Sequence, residues 1–194
     1  MTIQANLGTQ AFNEELVIAQ GHEVQVLGRK LKTNQGTLKA GTLVALNASR
    51  EVVPYASADH VIGTGDAATK DFSHSLDQYP IEAGSVEVTD GTETFSDDFN
   101  GRLTGSAGGT GLVNYETGDV KVSFNAAPAN NAPVTATCKN RLKGVLQREV
   151  DTTKEGSGLV IVHGAVVAAA LKVGVVAPSA ATLDLLETLG IYPL

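Results

Sequence analysis

Few side chains in this 194-residue chain could do chemistry, and their spacing narrows what that chemistry could be. The one cysteine, Cys138, ends the run Val134-Thr135-Ala136-Thr137-Cys138, in step with Val134 and Ala136. Alternation of this kind puts every second side chain on one face of a strand, so Cys138 reads as a core thiol rather than a nucleophile. A single cysteine also excludes an intramolecular disulfide, and the four scattered histidines assemble no metal-ligand spacing. Ser73-His74-Ser75 is the one place where hydroxyl and imidazole adjoin. A hydrolase needs nucleophile, base and oxyanion donors brought together by the fold, and sequence neighbours seldom face each other productively, so this stretch reads as a surface loop. Gly63-Thr64-Gly65-Asp66-Ala67-Ala68-Thr69-Lys70 suggests a phosphate loop but lacks the glycine before the lysine, and no helical run follows. Asp97-Asp98-Phe99-Asn100-Gly101 offers the hard oxygen ligands that Ca²⁺ takes, without EF-hand spacing or a distal bidentate glutamate; an Asx turn is the better reading. His163 has no Cys, Asp or Glu within five residues and reads as a satisfied core or turn histidine. The expectation is a non-enzyme: no catalytic residue, no metal, no cofactor.

The elements that would position these groups are mostly strands. Gly158-Leu159-Val160-Ile161-Val162-His163-Gly164-Ala165-Val166-Val167, continuing to Leu171 and Val173, is the most apolar and β-branched stretch, and it suits a core strand pair bending at Gly164. Before it, Val24 to Leu27, Gly41 to Leu46 and Glu51 to Tyr55 read as a β-meander, with Gly28 to Gly36 a basic connector, Asn47 to Arg50 a turn, and Pro54 at an edge or strand end. After it, Ser179 is an N-cap, Leu183, Leu185, Leu186 and Leu189 give one helix its apolar face, and Gly190 stands at C′. Ile191 to Leu194 should pack back onto the core.

Charge divides the chain. Residues 57–140 hold 12 acidic and four basic side chains, a net of −8, while the remainder is close to neutral; such a step marks a separate module. Inside it Ser85 to Thr89, Asp90-Gly91 and Thr92 to Phe95 form a hairpin pattern, and Asn100-Gly101 is a second turn. Gly105 to Gly111 looks like a flexible loop, and the strands 112–115, 120–124 and 134–138 close a small sandwich or barrel. A chain of net charge −7 has no Lys/Arg surplus for phosphate backbones, which argues against nucleic acid as a partner. The apolar run 156–171 is too short and broken to span a bilayer, and residues 1–8 lack a secretory pattern. Residues 1–20 carry Ile3, Leu7, Phe12, Leu16, Val17 and Ile18 without a sustained period, the pattern of an arm that is frayed or that orders by adding a strand to a partner.

With residues 57–140 set aside, 21–56 plus 141–194 resemble the head decoration proteins of tailed bacteriophages, the lambda protein D-like capsid cement family. The likeness is carried by Lys39-Ala40-Gly41-Thr42-Leu43-Val44 with Val53-Pro54-Tyr55, by Gly144-Val145-Leu146 with Glu149-Val150-Asp151, by Val162-His163-Gly164 with Leu171, and by Leu189-Gly190-Ile191. The insert resembles a β-module of phage structural proteins through Gly84-Ser85-Val86, Thr89-Asp90-Gly91, Asn114-Tyr115, Thr117-Gly118-Asp119-Val120 and Phe124 to Pro128. The resemblance implies a mainly β fold: a small β-barrel or β-tulip-like decoration domain with one C-terminal helix, interrupted by a β-sandwich-like module. It further implies a homotrimer made in the host cytoplasm and seated on the outer capsid surface, at local three-fold positions of the expanded head. The arm residues Ile3, Leu7, Phe12, Leu16, Val17 and Ile18 would contact the major capsid protein, with neither nucleic acid nor membrane as partner. The rival reading is a virion-surface module whose acidic insert recognises a glycan or receptor, or a tail or baseplate component.

Overall fold

The computed structural model describes residues 17–194. Among them the fold is mainly β, as expected. The first strands are β1 (Gln25–Lys30), β2 (Thr37–Leu38), β3 (Leu43–Leu46) and β4 (Val52–Pro54). The insert supplies β5 (Ser57–Thr64), β6 (Asp71–Ser75), β7 (Glu87–Thr89), β8 (Thr94–Asp97), β9 (Arg102–Gly105), β10 (Thr110–Val113), β11 (Asp119–Ser123) and β12 (Pro133–Lys139). Then come β13 (Leu142–Leu146), β14 (Val150–Asp151), β15 (Ser157–Val166), the helix α1 (Ala180–Thr188) and β16 (Ile191–Pro193).

The outer parts of the chain build one sheet in the order β1-β15-β13-β3-β4, with β16 also on β15. Its central strands are buried on both faces. Val160 joins Leu31, Val44, Val52 and Leu146 on one side, and Ile161 joins Leu43, Tyr55, Leu142 and Val145 on the other. Burial on both faces is why β15 reads as an unbroken apolar run instead of alternating. Leu31, just past β1, bridges Val52 of β4, and the Lys32 amide donates to the Val52 carbonyl at 3.0 Å, so the two ends of the sheet meet. Helix α1 covers the second face through the buried Leu186; the Ser179 hydroxyl caps it by accepting from the Thr182 amide at 3.3 Å.

Two expectations here need correction. The stretch around Gly164 is one ten-residue strand, not two strands with a bend. Gly164, at φ 113°, marks where β15 changes partners: before it β15 pairs with β1 and β13, and after it with β16 in parallel and with residues 17–19. A Cβ there would stand 2.6 Å from the Glu23 carbonyl oxygen, so glycine permits the close approach. Gly28 to Lys30, expected in a connector, extend β1 because they pair with Ser157 to Leu159.

The insert forms one antiparallel sheet in the order β5-β12-β7-β8-β9-β10-β11-β6. It is a single sheet curled into a nearly closed barrel, not two facing layers. Its end strands come side by side where the Phe72 ring lies against Gly63, leaving no room for a side chain at 63. Phe95 and Phe124 meet edge-to-face at 4.9 Å among Leu76, Leu103, Val120 and Val134. Strands β5 and β6 were not legible as strands. Each pairs along one edge only, β5 with β12 and β6 with β11, and apart from Ile62 and Phe72 they contribute little to the core, so their alternation is weak. The two crossings between the units are stitched by Asn140, whose amide oxygen accepts from the Ala56 N–H and whose amide nitrogen donates to the Pro54 carbonyl, both at 3.0 Å.

Candidate functional site

Of the six expected arm residues, Ile3, Leu7, Phe12 and Leu16 lie outside the described residues. Val17 and Ile18 run antiparallel to the end of β15: the Val167 amide donates to the Val17 carbonyl at 2.8 Å, and the Ala19 amide to Ala165 at 3.1 Å. Val17 is buried in this chain's own core, whereas Ile18 remains 36% exposed. The two neighbours thus take opposite faces of an added strand. Further apolar surface stands at the Val173–Val176 turn, where Val175 is 96% exposed.

The remaining sequence candidates take bland roles. Cys138 is fully buried, and burial, helped by the carboxylates of Asp77 and Asp59, pushes its thiol up to about 11. Ser73, His74 and Ser75 occupy β6, where successive side chains alternate between faces, so the adjoining pair makes no catalytic dyad. In the 63–70 stretch Asp66 accepts from the Ala68 and Thr69 amides at 2.9 and 2.6 Å, closing a turn, and these bonds hold its carboxyl down at about 2. The Asp97-Asp98 carboxylates are likewise consumed. Asp97 accepts from the Tyr115 hydroxyl at 2.6 Å and the Gly84 amide at 2.8 Å, and Asp98 accepts from the Asn100 and Arg102 amides at 2.8 and 3.0 Å. The Asx turn holds, and no group of three metal-ligating side chains forms among the described residues. His163, half-buried on β15, packs edge-on against His22 at 4.9 Å and near Tyr192 at 6.2 Å.

Two features escaped the sequence reading. The first is Glu93, only 3% exposed: one carboxylate oxygen accepts from the Ala107 and Gly109 amides at 3.2 and 2.6 Å, the other from the Asn125 amide at 2.8 Å. This clamp turns the expected flexible glycine loop into a tight link between β9 and β10. Gly109 is required there, since a Cβ would stand 2.7 Å from both the Glu93 oxygen and the Phe95 ring. The second feature is an open groove of about 590 Å³ over β6, β11, β10 and β9. Register places Ser73, Lys121, Leu112 and Arg102 in one row across the four strands, and Asp71, Ser123, Thr110 and Thr104 in the next. Leu112 is 63% exposed at the centre of its row. The available signal was phase: Leu112 and Val113 are consecutive apolar residues, so in a strand one of them must face out.

A half-buried polar contact couples the units. The Tyr55 hydroxyl donates to Glu82 at 3.0 Å; burial pushes the Glu82 carboxyl above its ordinary value, and burial together with that carboxylate raises the Tyr55 hydroxyl. Arg141 pairs with Glu116 at 2.6 Å on the surface.

No family model, curated protein or solved structure matches this chain.

Proposed function

We propose that this chain is a non-enzymatic decoration protein that binds the outer surface of an expanded phage head as a homotrimer and stabilises the shell. The observation that carries the reading is the course of the N-terminal segment. Residues 17–19 run as an added strand on β15, anchored by the buried Val17, and the apolar Ile3, Leu7, Phe12 and Leu16 directly precede them in the sequence. Strand addition to a partner's sheet edge is a recognised way for such a segment to bind. The insert is attached through the paired crossings at Asn140, which leaves the β1-β15-β13-β3-β4 path of the other sheet intact. The bare valines at 175 and 176 offer apolar area to a neighbouring subunit. Anything that binds only the assembled, expanded shell stabilises it by mass action.

The test is solution mass by light scattering, then co-sedimentation with expanded and unexpanded heads that lack the protein. A trimer that sediments with expanded heads alone is the expected result. Deleting residues 58–139 should leave that binding intact, and deleting residues 2–16 should abolish it. Binding to neither head form refutes the proposal.

A further inference from the structure

We infer that the groove on the insert's outer face is a binding site for an acidic, uronate-type oligosaccharide. The inference stands apart from the capsid reading and needs only the insert. Its starting point is how the four basic side chains of the acidic module are used. Lys70 donates to the Asn125 carbonyl at 2.6 Å, and Lys139 lies 6.0 Å from the centre of the Tyr55 ring. Arg102 and Lys121 form no ion pair among the described residues, and both line the same groove. They flank Leu112 directly, Lys121 across one strand boundary and Arg102 across the other. Two strand spacings separate their backbones by roughly 10 Å, about the length of a disaccharide.

The rest of the lining matches the same ligand. Leu112 supplies an exposed apolar platform for the C–H face of a pyranose, and the aliphatic stems of arginine and lysine widen it. Ser73, Thr110 and Ser123 offer hydroxyls that can both donate and accept, and Asp71 accepts from sugar hydroxyls. A guanidinium and an ammonium at the two ends fit carboxylates on alternate rings. Barrel-sheet faces serve elsewhere as oligosaccharide and oligonucleotide platforms. The oligonucleotide option fits poorly: single strands are held by exposed aromatic rings in a positive channel. Here the one aromatic residue of the groove, Phe72, packs edge-on against Phe124 at 5.7 Å, and Asp71 adds negative charge. Glu93 keeps the platform rigid by clamping the β9–β10 link and Asn125 at the end of β11, the strands that carry Arg102, Leu112 and Lys121.

The experiment is titration calorimetry of the full chain with oligogalacturonates of two to eight sugars, against neutral dextran oligomers, oligoglutamate and a single-stranded oligonucleotide. Saturable binding of the oligogalacturonates, absent for dextran, is expected. Arg102→Ala with Lys121→Ala should weaken it by about tenfold or more, the loss of two charge-assisted contacts at a partly exposed site. Leu112→Ser should weaken it severalfold with the charges kept. Circular dichroism melting of each variant separates a lost contact from a lost fold; should the double variant unfold, Arg102→Gln and Lys121→Gln tested singly carry the same prediction. Absence of oligogalacturonate binding, or binding unmoved in the folded variants, overturns the inference. Equal affinity for oligoglutamate or the oligonucleotide overturns the sugar assignment.

Discussion

Replacing Glu93 by alanine removes a buried carboxylate that satisfies three backbone amides, those of Ala107, Gly109 and Asn125. A hydrogen bond to a charged group contributes about 1.5–3 kcal/mol net, and each donor left buried without a partner costs about 1–3 kcal/mol. The three bonds share one side chain and are not additive, and part of the cost is recovered because the buried charge itself disappears. About 3–5 kcal/mol is therefore the expected loss, comparable to breaking a buried ion pair. In a module of this size that lowers its melting temperature by more than about 10 °C, at about 4–8 °C per kcal/mol. Glu93→Gln keeps one acceptor and turns an NH₂ group toward one set of donors, so it should lose about half as much. Calorimetry of the full chain gives the size of the effect, and amide hydrogen exchange gives its location. Loss of protection should centre on Ala107, Gly109 and Asn125 and spread along β9, β10 and β11 before it reaches β5 and β12. A melting shift of only one or two degrees, or unchanged protection at those amides, would refute the clamp.

The thiol of Cys138, fully buried and raised to about 11, should react with iodoacetamide at pH 8 only after denaturation; prompt alkylation of the folded chain would contradict the burial. Because burial raises the Glu82 carboxyl above its unfolded value near 4.5, its protonated form is favoured by folding. That contribution is present below about pH 4.5 and is lost as pH rises through the folded value. Glu82→Gln should therefore stabilise the chain at pH 7 and make no difference at pH 4, in paired thermal melts; an equal effect at both values would count against it. Val17→Asp places a charge in the core beneath β15 and should cost about 3 kcal/mol or more in denaturant unfolding, whereas Ile18→Asp should cost under about 1 kcal/mol. If Ile18→Asp is the damaging one, the faces of that strand are misassigned.

Much of the architecture was legible because its causes are local. The capped helix, the Asp90-Gly91 and Thr117-Gly118-Asp119 turns and the alternation through Cys138 all rest on backbone geometry that a few neighbouring residues decide. The charge step falls where the chain passes from one sheet to the other, at residues 57 and 140. Long-range pairing was not legible. Gly164 looks like a break in the text and is instead a point where one strand exchanges neighbours, a fact held by Glu23, Val24 and Gly190 rather than by the residues beside it. Strand β6 has the composition of a loop and is a strand because Asp119 to Ser123 pair with it. The glycines of 105–111 looked loose, since nothing in a sequence ties Glu93 to amides 14 to 32 positions away. The groove fails to show for the same reason: Arg102, Leu112 and Lys121 carry no motif and become a row only when register aligns them.

The position of that row in an acidic module has a consequence that separates a specific site from general charge attraction. At long range the module's net charge of −8 repels any anion, and at contact Arg102 and Lys121 attract one. Salt screens the two differently. Repulsion from any carboxylate farther away than a Debye length, about 10 Å at 0.1 M, is removed first, while the groove contacts at a few ångströms persist. Oligouronate affinity should accordingly rise between very low and moderate ionic strength and fall only at higher salt. Longer chains, which overhang the groove and meet the surrounding carboxylates, should show the larger rise. A basic surface that merely collects polyanions behaves in the opposite way, weakening monotonically with salt and gaining affinity with chain length. Calorimetric titrations of a short and a long oligogalacturonate across a salt series distinguish the two. A monotonic fall for both lengths would mean that Arg102 and Lys121 act as diffuse charge and not as the ends of a defined site.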